Sequence, residues 1–360
     1  MKNVALVQIG YGTVGGAVIQ QVVAQRSAWQ QMLGLDVRIA AIAGKNGVVL
    51  QEGAEGLTDE QLLECCHKRG ADATGTALTE IVPAIQNADA VILMDAAAGE
   101  ATTDSLVNAL NAGAGVVLSN KAPMALPHAD ARSTVLWKHA SLDGRLRYEA
   151  TCGAGLPVIS TLQSLLAQCD EVIEITGALS GTFGAIFSSV AQGDAFSTAV
   201  ASAKANGYTE PDPRDDLSGL DVARKALILA RTMGRDIDLD EIEVQSLVPP
   251  SLVDGSIQEF MDGLHISNNA IGPESVRARL NNAALKYVAI VKPQGKISVG
   301  LQPVPTSTVL GALQGPENVV SFRTRRYDVY PTVVSGPGAG ADVTAAGMIG
   351  DALMLAREMV

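Results

Sequence analysis

The stretch from residue 206 to residue 225, NGYTEPDPRDDLSGLDVARK, concentrates residue types that acid–base chemistry uses. Five acidic residues precede a basic pair at its end: Glu210, Asp212, Asp215, Asp216 and Asp221, then Arg224 and Lys225. Pro211 and Pro213 fix φ and disfavour helix in the residues before them. We therefore predict a stiff, non-helical loop from Glu210 to Pro213.

A helix is predicted to follow this loop, with Ser218 or Asp216 as its N-cap. Asp221 and Lys225 are four residues apart, so they should lie side by side on one helix face. When the stretch is considered alone, a solvated acidic loop with one ion pair is the simpler explanation. The alternative is a site for a polar, charged substrate, and it depends on what the rest of the chain supplies.

A possible dinucleotide site opens the chain. An apolar run of strand type at residues 4–9 is followed by GYGTVG at residues 10–15 and then by a helical pattern. Strand, GxGxxG and helix in this order form the context in which the motif binds a pyrophosphate at the helix N-terminus. Gly10 permits the tight turn, Gly12 lets the backbone approach the pyrophosphate, and Gly15 lets helix and strand pack closely.

The second predicted strand, Val37–Ala43, bears on the choice of cofactor. A site that prefers NAD usually has an acidic residue at the end of this strand, on the ribose 2′-hydroxyl. Here Gly44, Lys45 and Asn46 follow the strand, and none is acidic. Lys45 suits a 2′-phosphate and favours NADP, although a solvated loop lysine explains it about as well.

Two more predicted strands end in residues that suit a ligand site. Ala90–Met94 is followed by Asp95 and a run of small residues that includes Ala97, which leaves room for a ligand or forms a plain turn. Gly115–Leu118 is followed by Lys121. Because ligands bind at the carboxyl ends of parallel strands in an open α/β sheet, this lysine is a candidate active-site residue, with a surface lysine as the alternative.

Two glycine-rich segments stand out further along. The first, YEATCGAGLP at residues 148–157, forms a turn in which released backbone carbonyls and Glu149 suit a hard monovalent cation, while a strained linker is the alternative. The second covers residues 336–344 and precedes a predicted helix, Ala345–Met359. Its glycines indicate a close approach to a neighbouring helix or to the cofactor.

Composition limits the possible classes of protein. The chain has 360 residues, 47% of them hydrophobic and 4% aromatic, so an aliphatic core with buried parallel strands is expected. A net charge of −12 argues against nucleic-acid binding. No apolar run reaches the roughly 18 residues of a membrane span, and no signal peptide is visible. The four cysteines lack zinc-site spacing, which favours reduced thiols in a cytoplasmic protein.

These patterns predict an α/β protein of two domains. An N-terminal Rossmann-type parallel sheet at residues 1–150, completed by residues 336–360, is expected to bind the dinucleotide. Residues 151–335 are expected to form an α+β substrate-binding and dimerisation domain with a mixed or antiparallel sheet. Predicted strands are Arg145–Glu149 at the end of the first domain, and Val172–Leu179, Lys286–Val291, Ile297–Leu301 and Val319–Arg323 in the second.

The chain resembles the homoserine dehydrogenase family, in its short form without a C-terminal regulatory domain, almost from end to end. The resemblance rests on six segments: GYGTVG at 10–15, SNKAP at 119–123, YEATCGAGLP at 148–157, GALSGTFGAIF at 177–187, GYTEPDPRDDLSGLDVARK at 207–225 and GPGAGADVTAAG at 336–347. The fifth is highly specific to the family, whereas many dehydrogenases share the first. The resemblance implies NAD(P)-dependent interconversion of L-homoserine and L-aspartate 4-semialdehyde, in threonine and methionine biosynthesis.

The resemblance also implies roles for individual side chains. Lys225 is the expected catalytic lysine, and Lys121 is its companion near the reacting carbon and the nicotinamide. Glu210 and Asp221 are expected to bind the amino group and hydroxyl end of homoserine, with Asp216 nearby. Two other readings of the chain stay open: another Rossmann-fold dehydrogenase for an amino-acid semialdehyde or related carbonyl, and a non-catalytic NAD(P)-binding regulatory protein.

Further implied contacts involve the cofactor, a cation and a second subunit. Positions matched to cofactor contacts are Tyr11, Thr13, Val14 and Gly340, and those matched to a sodium site are Glu149, Cys152, Ala154 and Leu156, mainly through backbone carbonyls. After the fourth strand the family often has hydroxyl residues, whereas Ala97 and Ala98 leave only backbone contacts to the cofactor. A homodimer is usual in the family, and the sheet region near residues 285–325 is the candidate interface.

Overall fold

The computed structural model describes residues 1–45, 47–50, 56–68, 80–85, 87–141 and 144–360. Asn46 and much of the polar segment at residues 51–75 lie outside the described residues. The chain divides into two compact units. The first contains Met1–Gly155 and Gly340–Val360, and the second contains Leu156–Ala339.

The first unit is built on a six-stranded sheet in the order β3-β2-β1-β4-β5-β6. Its strands are β1 (Lys2–Ile9), β2 (Leu35–Gly44), β3 (Gly47–Leu50), β4 (Ala90–Asp95), β5 (Gly115–Leu118) and β6 (Leu146–Arg147). All neighbouring strands are parallel except β2 and β3. The central strands are almost wholly buried, as expected of aliphatic runs in a parallel sheet. The predicted Rossmann-type sheet is confirmed.

Helices pack around this sheet, and the C-terminal one belongs to the same unit. They are α1 (Thr13–Leu33), α2 (Asp59–Lys68), α3 (Ile81–Ala84), α4 (Thr103–Asn111), α5 (Ala131–His139) and, at the end of the chain, α14 (Ala341–Met359). Helix α14 packs against α1, and its apolar residues Met348, Ile349 and Leu355 are buried in the shared core. This stripe explains why the C-terminal segment folds with the first unit.

The second unit contains a mixed sheet in the order β12-β11-β7-β9-β10-β8. Its strands are β7 (Val172–Ala178), β8 (Ile242–Val244), β9 (Ala283–Val291), β10 (Ile297–Pro305), β11 (Glu317–Thr324) and β12 (Thr332–Pro337). Only the pairing of β8 with β10 is parallel, and the other pairings are antiparallel. The predicted mixed or antiparallel sheet is confirmed.

The described residues of the second unit also contain eight α-helices. They are α6 (Val158–Ala167), α7 (Gly181–Gln192), α8 (Phe196–Ala205), α9 (Pro213–Leu217), α10 (Leu220–Thr232), α11 (Ile257–Gly263), α12 (Asn268–Leu280) and α13 (Val309–Ala312). Helix α10 is buried along most of its length and packs against β9, so it fixes any group that it carries. No helix among the described residues is long and apolar enough to cross a membrane.

One predicted strand is shorter than expected. The sequence predicts Arg145–Glu149, but β6 covers Leu146–Arg147 and a one-turn 3₁₀ helix begins at Glu149. The Glu149 N–H donates to the Asp351 carboxylate at 2.9 Å instead of to a strand. A side-chain acceptor from α14 thus ends the strand, and no pattern within residues 145–149 could indicate it.

Candidate active site

The glycine loop of the first unit is closed by contacts that only glycine allows. Gly10 has φ +76°, and a Cβ there would lie 2.9 Å from the backbone of Ala96 and Ala97. A Cβ on Gly15 would lie 1.8 Å from the Gly10 carbonyl oxygen. At Gly12, by contrast, the position of a Cβ has no other atom within 4 Å. Two glycines are therefore required by packing, and the third leaves open space along the loop.

The N-terminus of α1 opens onto this space. Gly12 is the N-cap and makes no side-chain hydrogen bond, and the first turn contains no acidic residue. The backbone N–H groups of the first turn and the helix dipole therefore favour an anion there. This arrangement fits the pyrophosphate of a dinucleotide.

A buried glutamine below the loop was missed by the sequence-based prediction. The Gln8 side-chain amide donates to the Ile9 and Gly10 carbonyls, which holds the turn. Its Oε1 atom is buried and has no hydrogen-bond partner. An unsatisfied acceptor in this position fits a site that is completed by an ordered donor when the cofactor binds.

The end of β2 is shaped by an aromatic ring. A Cβ on Gly44 would lie 2.3 Å from the Tyr11 ring, so the ring packs directly on this glycine. Lys45 follows in the turn to β3 and is exposed to solvent. The absence of an acidic residue at Ala43 and Gly44 and the exposure of Lys45 both fit a 2′-phosphate.

Asp95 connects the loops that follow β4 and β5. Its carboxylate is fully buried and accepts hydrogen bonds from Ala97 N at 2.9 Å, Thr102 Oγ1 at 2.7 Å and Asn120 Nδ2 at 3.1 Å. Burial raises the pKa of Asp95, and the three hydrogen bonds oppose this rise. The sequence showed only an acid at the end of a strand, whereas the structure shows the centre of a network.

The same network holds Lys121. Asn120 donates to the Gly99 carbonyl at 2.7 Å and accepts from Ala122 N at 3.1 Å, so the residues on either side of it are fixed. The Lys121 carbonyl accepts from Met124 N at 3.1 Å and begins a one-turn helix. Lys121 therefore lies in a hydrogen-bonded loop after the carboxyl end of β5, the position that its sequence predicts.

The turn after β6 is packed against α14. Gly153 and Ala154 both have positive φ, at +107° and +57°. A Cβ on Gly155 would lie 2.5 Å from the Val343 carbonyl oxygen, and one on Gly347 would lie 2.8 Å from the Ala154 carbonyl oxygen. The turn thus has an irregular backbone that packs closely against α14.

The acids near this turn do not form a metal cluster of side chains. In the part of the chain that the structure describes, no three His, Cys, Asp or Glu residues could together hold a metal ion. Burial, and then the negative charge of Glu149, raise the pKa of Asp351 to about 7. Any cation at Glu149, Cys152 and Ala154 would therefore be bound mainly by backbone oxygens.

Lys225 is the centre of the polar cluster in the second unit. Its side chain is only 9% exposed, and its ammonium group pairs with Asp221 at 2.8 Å and donates to the Leu179 carbonyl at 2.6 Å. The predicted side-by-side arrangement of Asp221 and Lys225 on α10 is confirmed. The Leu179 carbonyl comes directly after β7, so the ammonium is held at the end of a strand.

The predicted N-cap of α10 is wrong, because Gly219 holds this position. Gly219 has φ +76°, and a Cβ there would lie 2.0 Å from the Tyr287 hydroxyl. The Tyr287 ring stacks on Phe183 at 3.8 Å between centroids, and its hydroxyl donates to the Gln245 carbonyl. An aromatic pair from β9 and α7 therefore fixes the start of the helix that carries Lys225.

The proline-rich loop also differs from the prediction at its end. Pro213 is the first residue of the short helix α9, and Asp212 is the N-cap that accepts from Arg214 N at 3.0 Å. Proline is well tolerated at the first helical position because its missing N–H is unpaired there anyway. Residues Glu210–Asp212 are non-helical as predicted, and Lys204 supports them by donating to the Pro211 carbonyl at 2.6 Å.

Asp216 does not cap a helix but ties two segments together. Its carboxyl group contacts Thr182 Oγ1 at 2.8 Å and accepts the Glu210 N–H at 2.8 Å. Thr182 lies in the first turn of α7, whose N-cap is Ser180, and Ser180 Oγ accepts from Phe183 N. The Glu210 backbone is thereby fixed while its side chain is exposed.

The first half of the second glycine-rich segment, residues 336–344, lies close to a strand and not to a helix. A Cβ on Gly338 would lie 1.9 Å from the Asn318 side-chain amide on β11. Asn318 is buried, and neither its Oδ1 nor its Nδ2 has a hydrogen-bond partner. Gly340, the predicted cofactor contact, is the N-cap of α14 with φ +119°.

The fold and the glycine loop define a Rossmann-type dinucleotide-binding protein with a second α+β unit. Comparison with family models makes this specific. Residues 10–149 match the model described as homoserine dehydrogenase, NAD binding domain, and residues 157–353 match the model described as homoserine dehydrogenase. The chain belongs to the homoserine dehydrogenase family.

Individual relatives agree with this membership. A chloroplastic bifunctional aspartokinase/homoserine dehydrogenase 2 from Arabidopsis thaliana is 34% identical over 98% of this chain, which spans 38% of that relative. The homoserine dehydrogenase of Paracoccidioides brasiliensis is 37% identical over 74% of this chain and 75% of its own length. The chain thus spans well under half the length of the bifunctional relatives.

Solved structures share the same fold. A Candida auris protein of unknown function superposes with a TM-score of 0.85 at 31% identity, covering 99% of this chain and 98% of that one. A hyperthermophilic archaeal homoserine dehydrogenase in complex with NADPH gives a TM-score of 0.71 at 24% identity, covering 98% and 96%.

Proposed function

We propose that this chain is an NAD(P)-dependent homoserine dehydrogenase that interconverts L-homoserine and L-aspartate 4-semialdehyde, a step towards threonine and methionine. The observation that carries this proposal is the Lys225 ammonium, buried, paired with Asp221 and held on the Leu179 carbonyl. It lies in the segment that resembles the family most specifically. A buried ammonium group fixed in position is suited to stabilising a developing negative charge.

In this proposal the second unit supplies Lys225 and the acidic residues that bind the substrate. Negative charge develops on the aldehyde oxygen during reduction, and the Lys225 ammonium stabilises that charge and supplies the proton, with Lys121 in a supporting role. The exposed Glu210 carboxylate and Asp221 bind the substrate ammonium and hydroxyl end. Asp216 holds Glu210 in place through the Glu210 N–H. These pairings orient the reacting carbon.

The cofactor is held by the first unit. When bound, the nicotinamide supplies or accepts the hydride. Residues that would hold the dinucleotide are Gly10, Tyr11, Gly12, Thr13, Val14, Gly15, Ala97 and Gly340, mainly through backbone groups. The open space at Gly12 and the uncapped start of α1 support this assignment.

We propose a preference for NADP over NAD, based on Lys45. This lysine is exposed at the end of β2, and the usual acidic residue is absent at Ala43 and Gly44. The archaeal structural neighbour was solved with NADPH. Replacing Lys45 with Ala should raise the Kd for NADPH about tenfold, the scale of one phosphate ion pair, and leave the Kd for NADH nearly unchanged. Equal effects on both cofactors would contradict this role.

A sodium ion and a homodimer complete the proposal. The carbonyls of Glu149, Cys152, Ala154 and Leu156 are the proposed ligands of a monovalent cation, with Cys152 using only its backbone. Measuring the rate after replacing sodium with a bulky organic cation tests this.

The proposed dimer interface is the sheet region near residues 285–325, and sedimentation of the protein gives its mass in solution.

The decisive assay is the initial rate of cofactor reduction with L-homoserine, run separately with NAD and NADP. The proposal predicts homoserine-dependent reduction that is faster with NADP. Binding of NADPH without homoserine turnover would instead favour a non-catalytic regulatory protein. Turnover of a different amino alcohol, with none of L-homoserine, would favour another semialdehyde dehydrogenase.

A further inference from the structure

A single hydroxyl in the second unit faces two oxygen acceptors. Thr182 Oγ1 lies 2.5 Å from the Tyr208 carbonyl oxygen and 2.8 Å from Asp216 Oδ1. Both separations are O–H···O hydrogen-bond lengths, so each needs a proton between its oxygens. A threonine hydroxyl has one proton to donate, and a carbonyl oxygen can only accept. The Thr182 proton therefore satisfies the Tyr208 carbonyl, and the second proton has to come from Asp216.

We propose that Asp216 is a neutral carboxylic acid that donates its proton to Thr182 Oγ1 and so acts as a positioning residue for Glu210. Thr182 in turn donates to the Tyr208 carbonyl. The other carboxyl oxygen of Asp216 accepts the Glu210 N–H at 2.8 Å. One neutral side chain on α9 thus joins the start of α7 to both ends of the segment 208–210.

The surroundings of Asp216 favour its neutral form. Burial raises the pKa of Asp216, and the negative charges of Asp221 and Asp215 raise it further. The Glu210 N–H favours the charged form and lowers the pKa of Asp216, but its effect is smaller than that of burial. A Thr182 hydroxyl that donated to Asp216 would also lower this pKa, whereas in the proposed arrangement Thr182 accepts. The hydrogen-bond geometry and the electrostatics therefore both place a proton on the Asp216 carboxyl group.

The positive charges near this site are already engaged elsewhere. Lys225 on α10 pairs with Asp221, and Arg214 on α9 is bonded to the carboxylate of its own helix N-cap. Arg224, the residue before Lys225 on α10, is exposed to solvent. Helix α7 contains no charged residue, and Glu210 adds a further negative charge on the loop. No cation among these groups is placed to hold Asp216 as a carboxylate.

A pH dependence follows from this proton. Below the pKa of Asp216 the chain of hydrogen bonds is complete, and it is lost as the pH rises through that pKa. Thr182 can then donate its single proton either to the Tyr208 carbonyl or to the Asp216 carboxylate, so one of the two hydrogen bonds is lost. Because the proposed function makes Glu210 a ligand of the substrate ammonium, the KM for L-homoserine should rise over that pH range. This kinetic consequence rests on the proposed function, whereas the protonation state does not.

Infrared difference spectroscopy tests the protonation state on the ligand-free protein. Native protein minus Asp216→Asn should show a carbonyl band of a protonated carboxylic acid at neutral pH, and the band should disappear as the pH is raised. Asp215→Asn is the matched control, because Asp215 is the preceding residue on the same short helix and is exposed to solvent. Native minus Asp215→Asn should lack the band at a pH below the pKa of Asp216 in both proteins. Finding no such band for Asp216 above about pH 5, where ordinary aspartates are ionised, would overturn the proposal.

Thr182→Val tests the direction of the hydrogen bond and keeps Asp216 in place. If Asp216 donates, the variant removes the acceptor of the neutral acid, and the midpoint of band loss moves down by roughly one pH unit. If Asp216 is a carboxylate that accepts from Thr182, the midpoint moves up. An upward shift therefore contradicts the proposal, and this outcome can be obtained even if Asp216→Asn does not fold.

Kinetics test the positioning role. The amide in Asp216→Asn can donate to Thr182 and accept from Glu210 N, so it copies the neutral acid at every pH. The KM of native protein for L-homoserine should rise, by up to about tenfold for each pH unit, above the pKa of Asp216, while the KM of Asp216→Asn stays flat. The KM of Asp215→Asn should rise in the same way from a slightly lower pH, because the Asp215 charge that raises the pKa of Asp216 is absent. Parallel curves for native protein and Asp216→Asn would overturn the positioning role. If native protein does not turn over L-homoserine, the proposed function fails and the infrared result still decides the protonation.

Discussion

The two units position their candidate functional groups by different means. The first unit uses backbone, since the contacts at Gly10 and Gly15 exclude a Cβ and Gly12 leaves open space at a helix N-terminus. The second unit uses side chains, since Lys225 and Asp216 are fixed by hydrogen bonds to groups far away in sequence. A backbone site leaves a short local motif, whereas a side-chain site leaves only scattered polar residues.

This difference predicts different consequences of substitution. Changes in the glycine loop should alter cofactor affinity and leave the substrate-binding groups intact. Changes in the side-chain network should alter turnover or substrate affinity and leave cofactor affinity intact. Variants that affect both quantities together would show that the two sets of residues do not act separately.

The largest effect is expected for Lys225→Ala. Loss of a group that stabilises charge and transfers the proton should lower kcat about 10²- to 10⁴-fold, while the Kd for NADPH stays unchanged. Arg224→Ala is the matched control, because it removes the same charge from the neighbouring, exposed position on α10. Steady-state rates and a fluorescence titration with NADPH measure both quantities. Equal kcat values for the two variants would refute a catalytic role for Lys225.

A smaller effect is expected for Gly219→Ala. Its Cβ would lie 2.0 Å from the Tyr287 hydroxyl at a φ of +76°, so the start of α10 has to move. A displacement of about 1 Å at the reacting groups costs roughly 10²-fold in kcat/KM. Gly234→Ala also has positive φ but meets no atom within 4 Å, so it controls for backbone strain alone. A loss of kcat/KM that is equal in both variants would rule out positioning by this contact.

Gly12→Ala and Gly15→Ala separate binding from folding in the first unit. Both should raise the Kd for NADPH, by roughly 10-fold or more, but for different reasons. Gly15→Ala forces a methyl group against the Gly10 carbonyl and should lower Tm strongly, whereas Gly12→Ala fills open space and should lower Tm only slightly, because alanine is a poorer N-cap than glycine. Thermal unfolding without ligand checks this contrast. A Gly12→Ala variant that binds NADPH normally would argue against the pyrophosphate at this loop.

Asp351→Asn should have the smallest effect on catalysis and a defined effect on stability. The folded-state pKa of Asp351 is about 7, above its ordinary value of 3.8, so the folded protein holds a proton that the unfolded chain releases. The stabilisation from this proton is present below about pH 4 and is lost as the pH rises to about 7, at ~1.4 kcal/mol per unit of pKa shift. The variant should therefore gain stability relative to native protein between pH 4 and pH 7. Denaturant unfolding at several pH values measures this, and a constant difference would contradict the prediction.

Much of the fold and of the first half of the site was predictable from sequence. Aliphatic runs gave the parallel strands because buried strands need apolar residues on both faces, and GYGTVG marked its own turn. Asp221 and Lys225 were paired correctly because helical spacing is a local property. The prediction was wrong where a partner came from elsewhere, as at Gly219, whose conformation depends on Tyr287.

Several important residues gave no sequence signal. Gln8 and Asn120 support their loops through hydrogen bonds, and Asp95 joins two loops from the end of a strand. Each is an ordinary polar residue in the sequence, and its role appears only when parallel strands bring the loops together. Thr182 was visible as part of a motif, but its two oxygen partners lie 26 and 34 residues away.

The most direct test of the central claim follows a single hydrogen atom. L-homoserine that carries two deuterium atoms on its terminal carbon is incubated with NADP and native protein, and the NADPH formed is analysed by mass spectrometry. The account predicts that each NADPH molecule contains one deuterium and that Lys225→Ala greatly slows its formation. No homoserine-dependent NADPH, or NADPH without deuterium, would contradict the account.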